Sequence, residues 1–519
     1  MKRLCVICIA VSMILSGCHM NYNLELDRNN PEDKLYLGIS GTGNLEMTKE
    51  AVEAGADINE FHSKKLRTPV WYLDRTQNPM MIAMFGANHE AVEYLLECGA
   101  DVNYQNSNGR TILSYCAEEG NTEYIAKFLE HGADINCIDK EDYTALDYAV
   151  ESRRVDAVRL LLEHNPIITD KTLKIVLDNL YDNPSGEVHY WLLKSLIEAD
   201  RSIEMEEDIK KAFLGDNTAV LAYLESEPER NEKYDIIASA AAAFCGTECM
   251  EYLLGQPDIE SVLSREHFFR MASMFGNVAM MQYLVGCGAD INARNEADYS
   301  AVELAVLYDR MDAVQLLQEM GADFHPSTSN NERDALYNAV GNSNLEMVKL
   351  LLSHPGYFNT TQATFLAIRT HQMDILVYFL DMGVELNTNN WAGCNLLGEA
   401  VLSNDIEILK YLVERGAEIN DKNCENPVCY CAETGNAEMM QYLIDHGADI
   451  NSVMVAGDGS KGDPAILKAI TRGQFEALKV LVENGADIYI DFYGRTIVEY
   501  AQDQGSENIY NYLKQIYEG

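Results

Sequence analysis

Apolar side chains in this chain recur at the spacing of short amphipathic helices. In residues 109–136, GRTILSYCAEEGNTEYIAKFLEHGADIN, apolar side chains stand at positions 113, 116 and 117 and again at 124, 125, 128 and 129. Positions three or four residues apart share one face of an α-helix. Gly120 and Asn121 separate the two sets, and Gly132 follows the second. Because glycine tolerates the left-handed backbone that ends helices, the segment predicts two helices joined by a short turn.

One five-letter sequence follows many of these helix pairs. GADIN or GADVN stands at 55–59, 99–103, 132–136, 288–292 and 447–451. Gly99 and Gly132 are separated by 33 positions, as are Gly288 and Gly321. A period near 33 residues predicts an all-α stack of repeated helix pairs, with roughly fifteen units in residues 34–519. We expect the glycine to end the second helix, and the Asp and Asn to shape the turn that follows.

The repeats resemble those of the ankyrin family. The family's TPLHLAA sequence has counterparts in NPMMIAM at 78–84, TALDYAV at 144–150, NPVCYCA at 426–432 and TIVEYAQ at 496–502. The junction before the second helix appears as GNTE at 120–123 and GNAE at 435–438. The resemblance implies an ankyrin-repeat solenoid, in which each helix-turn-helix is followed by a short finger loop.

The resemblance also suggests how the chain is divided. Residues 34–164 and 261–519 read as ankyrin repeats, and residues 165–260 as degenerate ones, with Asn165 at the first non-glycine position. In the last unit Lys514 replaces an apolar residue, which an exposed capping repeat requires.

The first residues have the order of an export signal. Lys2 and Arg3 precede an apolar run over 4–15, and Leu-Ser-Gly-Cys follows at 15–18. This ending resembles the lipobox of bacterial lipoproteins, which implies that residues 1–17 are a removed signal peptide and that Cys18 carries lipid. Residues 18–33 would form a lipidated, flexible tether. With His19 in place of Asp, we expect an outer-membrane anchor facing the periplasm; an ordinary signal peptide with a chance cysteine is the alternative.

The charge balance limits the classes of partner. The chain has 82 acidic and 39 basic residues, a net charge of −43. Such a surface repels phosphate backbones, so we expect no nucleic acid. It attracts a basic protein partner, although acidity also simply keeps a long solenoid soluble.

Sequence motifs give little support for catalysis or metal binding. HEAVE at 89–93 lacks the second histidine of a zinc-protease helix, and GISGT at 38–42 lacks the final glycine of a nucleophile elbow. DGSKGD at 458–463 lacks the acidic ligands of a calcium loop, and Cys424, Cys429 and Cys431 lack zinc-ligand spacing. We expect Cys116 and Cys431 to pack in the core. We therefore expect no enzyme, no cofactor, no metal and no small-molecule substrate.

The ankyrin resemblance implies that partners dock on the concave surface formed by finger tips and first helices. Carried over position by position, the candidate partner-binding residues are Tyr104, Ser107, Arg110, Lys140, Glu141, Tyr143, Glu296, Tyr299, Trp391, Phe492, Tyr493 and Arg495. Exposed aromatic and Arg side chains are typical binding hot spots, although rings there can instead pack on a neighbouring finger. The sequence predicts a lipid-anchored protein-interaction scaffold; the alternative is an immunity or inhibitor lipoprotein that neutralises a basic exported toxin or enzyme.

Overall fold

A computed structural model describes residues 26–518 apart from 41–42, 62–77, 87, 183–186, 201, 227–230, 257–258, 260–262, 326–334, 355–357, 391–392, 422–423, 454–461 and 491–493. Four of the predicted site residues lie outside the described part: the predicted lipidation site Cys18 and the predicted finger residues Trp391, Phe492 and Tyr493. Residues 1–17 of the predicted signal peptide and 18–25 of the predicted tether also lie outside it.

Within these described ranges the chain forms thirty helices, which follow one another as fifteen pairs. They are α1 (Pro31–Ile39), α2 (Leu45–Glu53), α3 (Pro79–Phe85), α4 (His89–Glu97), α5 (Ile112–Glu119), α6 (Thr122–Glu130), α7 (Ala145–Glu151), α8 (Val155–Glu163), α9 (Asp170–Asp182), α10 (Glu187–Ala199), α11 (Glu207–Phe213), α12 (Asn217–Ser226), α13 (Glu232–Phe244), α14 (Thr247–Leu254), α15 (Arg265–Phe275), α16 (Val278–Gly286), α17 (Ala301–Leu307), α18 (Met311–Glu319), α19 (Ala335–Gly341), α20 (Leu345–Leu352), α21 (Thr360–Arg369), α22 (Met373–Asp381), α23 (Leu396–Leu402), α24 (Ile406–Glu414), α25 (Pro427–Thr434), α26 (Ala437–Asp445), α27 (Ala465–Arg472), α28 (Phe475–Glu483), α29 (Ile497–Gln504) and α30 (Glu507–Glu518). The predicted all-α class is confirmed.

The helices belong to two compact units. Unit 1 comprises Met1–Ile112, Glu130–Asp134 and Gly393–Gly519, and unit 2 comprises Leu113–Leu129 and Ile135–Ala392. In unit 1 the first helices α23, α25 and α27 pack side by side, and the second helices α26 and α28 form a parallel row. In unit 2, α11, α13, α15 and α17 pack in the same way. Each unit is therefore built by stacking helix pairs.

The first helix α13 is buried along most of its length and is rich in small side chains. Residues 234–243 of α13 are all buried, and five of them are alanines. Small side chains allow the helices on both sides to approach closely. Cys116 and Cys431 occupy equivalent core positions at 2% and 0% exposure, which confirms their predicted packing role.

The GADIN sequence forms a joint between repeats. Gly132 ends α6 at φ 85°, the left-handed conformation predicted for it. The Asp101 side chain accepts the Asn103 backbone N–H at 2.8 Å and shapes its own turn. Asn103, however, reaches the next repeat: its side-chain oxygen accepts the Asp134 N–H at 2.6 Å, and its side-chain N–H donates to the Gly132 carbonyl at 3.0 Å. The predicted role of the asparagine, limited to its own turn, was therefore incomplete.

A second asparagine joins the repeats at the turn inside several of the helix pairs. Asn88 caps α4 by accepting the Ala91 N–H at 3.2 Å and donates to the Gly38 carbonyl of the preceding repeat at 3.2 Å. In unit 2, Asn277 donates in the same way to the Cys245 carbonyl at 2.9 Å. The amide therefore both caps its own helix and joins it to the end of a helix in the previous pair.

The core of unit 2 contains one buried histidine–serine pair. The His267 Nε2 lies 3.0 Å from the Ser239 Oγ, and both side chains are buried. Burial disfavours the charged imidazolium, and nearby Arg270 adds like charge, so the pKa of His267 falls to about 3. The pair therefore acts as a neutral hydrogen bond between α13 and α15.

We predict that Asn420→Ala loosens the joint between two repeats of unit 1. The Asn420 side chain accepts the Asp449 N–H and donates to the Gly447 carbonyl, both at 2.8 Å. Losing both bonds should cost about 1–2 kcal/mol, measured as a lower unfolding midpoint in urea. Asn420→Asp keeps the acceptor oxygen and should lose less stability. Equal stability of the wild type and Asn420→Ala would contradict the proposed role of Asn420 between the repeats.

We also predict that the protein loses stability in mild acid through His267. The folded pKa, about 3, lies below the ordinary value of 6.5, so the neutral ring contributes stability above pH 6.5 that is lost as pH falls toward 3. Lowering the pH from 7 to 5 should cost roughly 2 kcal/mol from this residue. Urea unfolding of wild type and His267→Gln at both pH values isolates the effect, because the variant cannot titrate; identical pH slopes would refute it.

Candidate functional site

The finger loops share an internal turn built around one Asn or Asp. In each of three fingers, the side-chain oxygen of this residue accepts backbone N–H groups two and four positions later. The bonds join Asn106 to Asn108 and Arg110 at 3.0 and 2.9 Å, Asp139 to Glu141 and Tyr143 at 2.9 Å each, and Asn295 to Ala297 and Tyr299 at 3.0 and 2.8 Å. The finger tips are thus ordered by their own hydrogen bonds.

The same turn requires left-handed backbone three residues after the Asn or Asp. Gly109, Asp142 and Asp298 adopt φ values of 82°, 61° and 65°. Glycine takes this conformation freely, and Asp or Asn tolerate it better than most residues. These turn residues were not predicted, although the pattern Asn or Asp, two variable residues, then Gly or Asp occurs in all three fingers at 106–109, 139–142 and 295–298.

The candidate binding residues fall at equivalent positions of this turn. Ser107, Lys140 and Glu296 each follow the turn-forming residue, and Arg110, Tyr143 and Tyr299 stand where its second bond ends. In unit 1, Tyr104, Ser107 and Arg110 share one finger and are half-buried, while Arg495 is exposed and pairs with Asp503. In unit 2, Lys140, Glu141 and Glu296 are exposed, and Tyr143 and Tyr299 are half-buried.

Tyr143 is held in place by its neighbours. The Lys171 Nζ of the following repeat lies 4.0 Å from the centre of its ring, and the Tyr148 ring lies 5.1 Å away. The Tyr148 hydroxyl donates to the Asp139 carboxylate at 2.5 Å, which ties this cluster to the finger turn. Burial and the nearby carboxylates Glu151 and Asp147 raise the pKa of Tyr143, so its hydroxyl remains a neutral donor. Part of the ring packs on the neighbouring repeat, and the rest is pre-positioned for a partner.

Arg294 fixes the third finger and was also missed from the sequence. Its guanidinium donates to the Asp298 carbonyl at 2.6 Å and to the buried Glu303 carboxylate at 2.8 Å. It also reaches the His325 carbonyl of the next repeat at 3.2 Å. One side chain thus joins the finger turn, its own first helix and the following finger.

The described residues offer little of what catalysis needs. No group of three or more His, Cys, Asp or Glu side chains in them is placed to hold a metal. A cleft of about 280 Å³ beside Phe379 and Met382 has Glu385 as its one ionisable lining side chain among those residues. Burial raises the pKa of both the Cys116 and the Cys429 thiols to about 12, so neither is a ready nucleophile.

The described part of the chain contains no helix that is both long and apolar enough to cross a bilayer.

Comparison with known proteins identifies the repeat. The family model described as "Ankyrin repeats (3 copies)" matches residues 79–172, 268–363, 303–390, 364–454, 397–490 and 428–518, together more than half of the chain. A curated ankyrin repeat protein of Acanthamoeba polyphaga mimivirus is 24% identical over 127 residues, which are 24% of this chain and 39% of the viral protein.

Among solved structures, the crystal structure of the human ASB11 ankyrin repeat domain aligns with 42% of this chain and 98% of its own length, at 18% identity and a TM-score of 0.36. The family match over most of the helix pairs, together with the GADIN joints and the finger turns, shows that the chain belongs to the ankyrin repeat family.

Proposed function

We propose that this protein is a non-enzymatic interaction scaffold that binds another protein through its finger loops. The observation that carries the proposal is the finger turn: the same hydrogen bonds order three loops, while the side chains at their tips differ. A fixed backbone lowers the entropy lost on binding, and variable tips provide specificity. Ankyrin repeats typically bind other proteins, which supports the same reading.

We further propose that the partner carries basic side chains. The net charge of −43 favours encounter with a cationic surface and disfavours nucleic acid. The same charge supports a second candidate function, in which the protein neutralises a basic exported toxin or enzyme. The two functions differ in outcome, because a neutralising protein abolishes the activity of its partner whereas a scaffold leaves that activity intact.

We also propose that the protein is anchored to a membrane by lipid. The basic, apolar and Leu-Ser-Gly-Cys segments of residues 2–18 support lipid attachment at Cys18, and His19 in place of Asp supports an outer-membrane position facing the periplasm. Two acyl chains hold a protein on a membrane stably, whereas one does not.

We predict that photoreactive groups at Lys140, Tyr143 and Trp391 label one shared partner in intact cells. Lys140 and Tyr143 belong to one finger loop, and Trp391 is a finger position predicted from the sequence; Glu163, at the exposed end of α8, is the matched control. Mass spectrometry of the adducts identifies the partner. Labelling only from Glu163, or from no position, would count against the finger face.

We predict that Cys18→Ala releases the protein from the membrane fraction and abolishes incorporation of an alkyne-tagged fatty acid. Cys98→Ala, a change at an exposed thiol at the end of α4, should alter neither result. Fatty-acid incorporation that survives Cys18→Ala would refute lipid attachment at this residue without bearing on the finger loops.

A further inference from the structure

The first repeat, which here means α1 and α2 with the residues just before α1, contacts the last two repeats within unit 1. Asn44, which caps α2, donates its side-chain N–H to the Thr471 carbonyl at 3.4 Å, and the Gly473 carbonyl accepts the Glu46 backbone N–H at 3.1 Å. A Cβ on Gly473 would lie 2.1 Å from the Asn44 side-chain oxygen. Inside the stack, Asn88 approaches Gly43 of the preceding repeat just as closely. At Gly473, the first repeat therefore occupies the place that the next repeat in the chain occupies at Gly43.

Helix α30 receives its N-terminal cap from the first repeat. The Glu50 carboxylate accepts the Asn508 backbone N–H at 2.9 Å and the Ser506 hydroxyl at 3.4 Å, and the Glu46 carboxylate accepts the Asn508 side-chain N–H at 2.6 Å. Lys34, 2.5 Å from the other Glu50 oxygen, orients the carboxylate. A carboxylate is favourable at a helix N-terminus because free N–H groups and the helix dipole point toward it.

Helix α29 is capped at its opposite end by the same repeat. The Arg28 guanidinium donates to the Asp503 carbonyl, in the last turn of α29, at 2.6 Å. A cation is favourable at a helix C-terminus, where carbonyl groups lack partners. One repeat thus places an anion at the start of α30 and a cation at the end of α29, which is a charge pattern fitted to this turn between two helices.

Apolar side chains fill the space between these polar contacts. Met47 of α2 is 3% exposed, and its methyl group lies 2.8 Å from where a Cβ on Gly505 would be. Ile509 and Leu513 of α30 are buried at 0% and 1% exposure. Lys514 is exposed, as expected for a capping repeat, but the neighbouring turn is covered by the first repeat.

We propose that the first repeat is a latch that closes on the last two repeats and opens as a unit while the rest of the fold stays intact. The latch comprises Arg28, Asn44, Glu46, Met47 and Glu50, and its receiving surface comprises Thr471, Gly473, Asp503, Ser506 and Asn508. Opening it breaks only the contacts of one repeat, so it requires less free energy than global unfolding. The device depends neither on the lipid anchor nor on a finger-loop partner.

Hydrogen exchange of the full chain, read by mass spectrometry, tests the latch with two pairs of variants. Glu50→Ala removes the cap on α30, and Glu53→Ala, on the exposed side of the same helix, is its control. Gly473→Ala pushes Asn44 away; its control is Gly485→Ala, because both glycines have positive φ, 70° and 86°, but only Gly473 has a crowded Cβ position. The control thus carries the backbone strain without the displacement.

We expect Glu50→Ala and Gly473→Ala to speed exchange in residues 31–53 and 497–518 by on the order of tenfold relative to their controls. Peptides from residues 396–445 should exchange at the wild-type rate. Unchanged exchange in residues 497–518, or a rise no larger than in the controls, would overturn the latch. An equal rise throughout residues 396–445 would also overturn it, because the residues would then unfold together with the whole unit.

Discussion

Stacking is the constraint on which the rest of this structure depends. A single pair of short helices cannot bury its apolar faces, so each pair is stable only against a neighbour. Asparagine side chains fix how neighbours meet: Asn103 joins successive fingers, and Asn88 joins successive turns between helices. Each amide offers a donor and an acceptor: Asn103 uses both across a boundary between repeats, whereas Asn88 uses its donor across the boundary and its acceptor to cap its own helix. The apolar core supplies the attraction, and the amides set the register.

The fixed spacing of the repeats also leaves the finger side chains free to serve in binding. Because the joints hold one end of each finger and the Asn or Asp turn holds its tip, the variable residues in between need no role in folding. Lys140, Glu141 and Glu296 can therefore differ from finger to finger at little cost to stability. Tyr143 and Arg294 are exceptions, because each also contacts the next repeat. Changes at these two positions would affect both recognition and stacking.

The sequence predicted the helix pairs and the left-handed glycines because both depend on residues close together in the chain. The bond from Asn103 to the next repeat was not predicted, because a bond to a residue 31 positions away leaves no local pattern in the sequence. The finger turns were within reach of sequence reasoning, since the pattern is repeated at 106–109, 139–142 and 295–298. The contact of Glu50 with Asn508 could not be predicted in this way. The two residues are 458 positions apart in the chain, and no spacing rule links a carboxylate to a helix end over that separation.

The asparagine joints also hold neighbouring repeats together without using charged side chains. A carboxamide has no proton to gain or lose across the physiological pH range and no ionic atmosphere for salt to screen. In a chain with 82 acidic side chains, neighbouring repeats repel one another to a degree that varies with pH and ionic strength. The joints at Asn103, Asn277 and Asn420 bond backbone groups, so neither pH nor salt changes the charge of either partner. Surface acidity can therefore vary over evolutionary time, tuning solubility and partner attraction, without altering the joints that hold one repeat to the next.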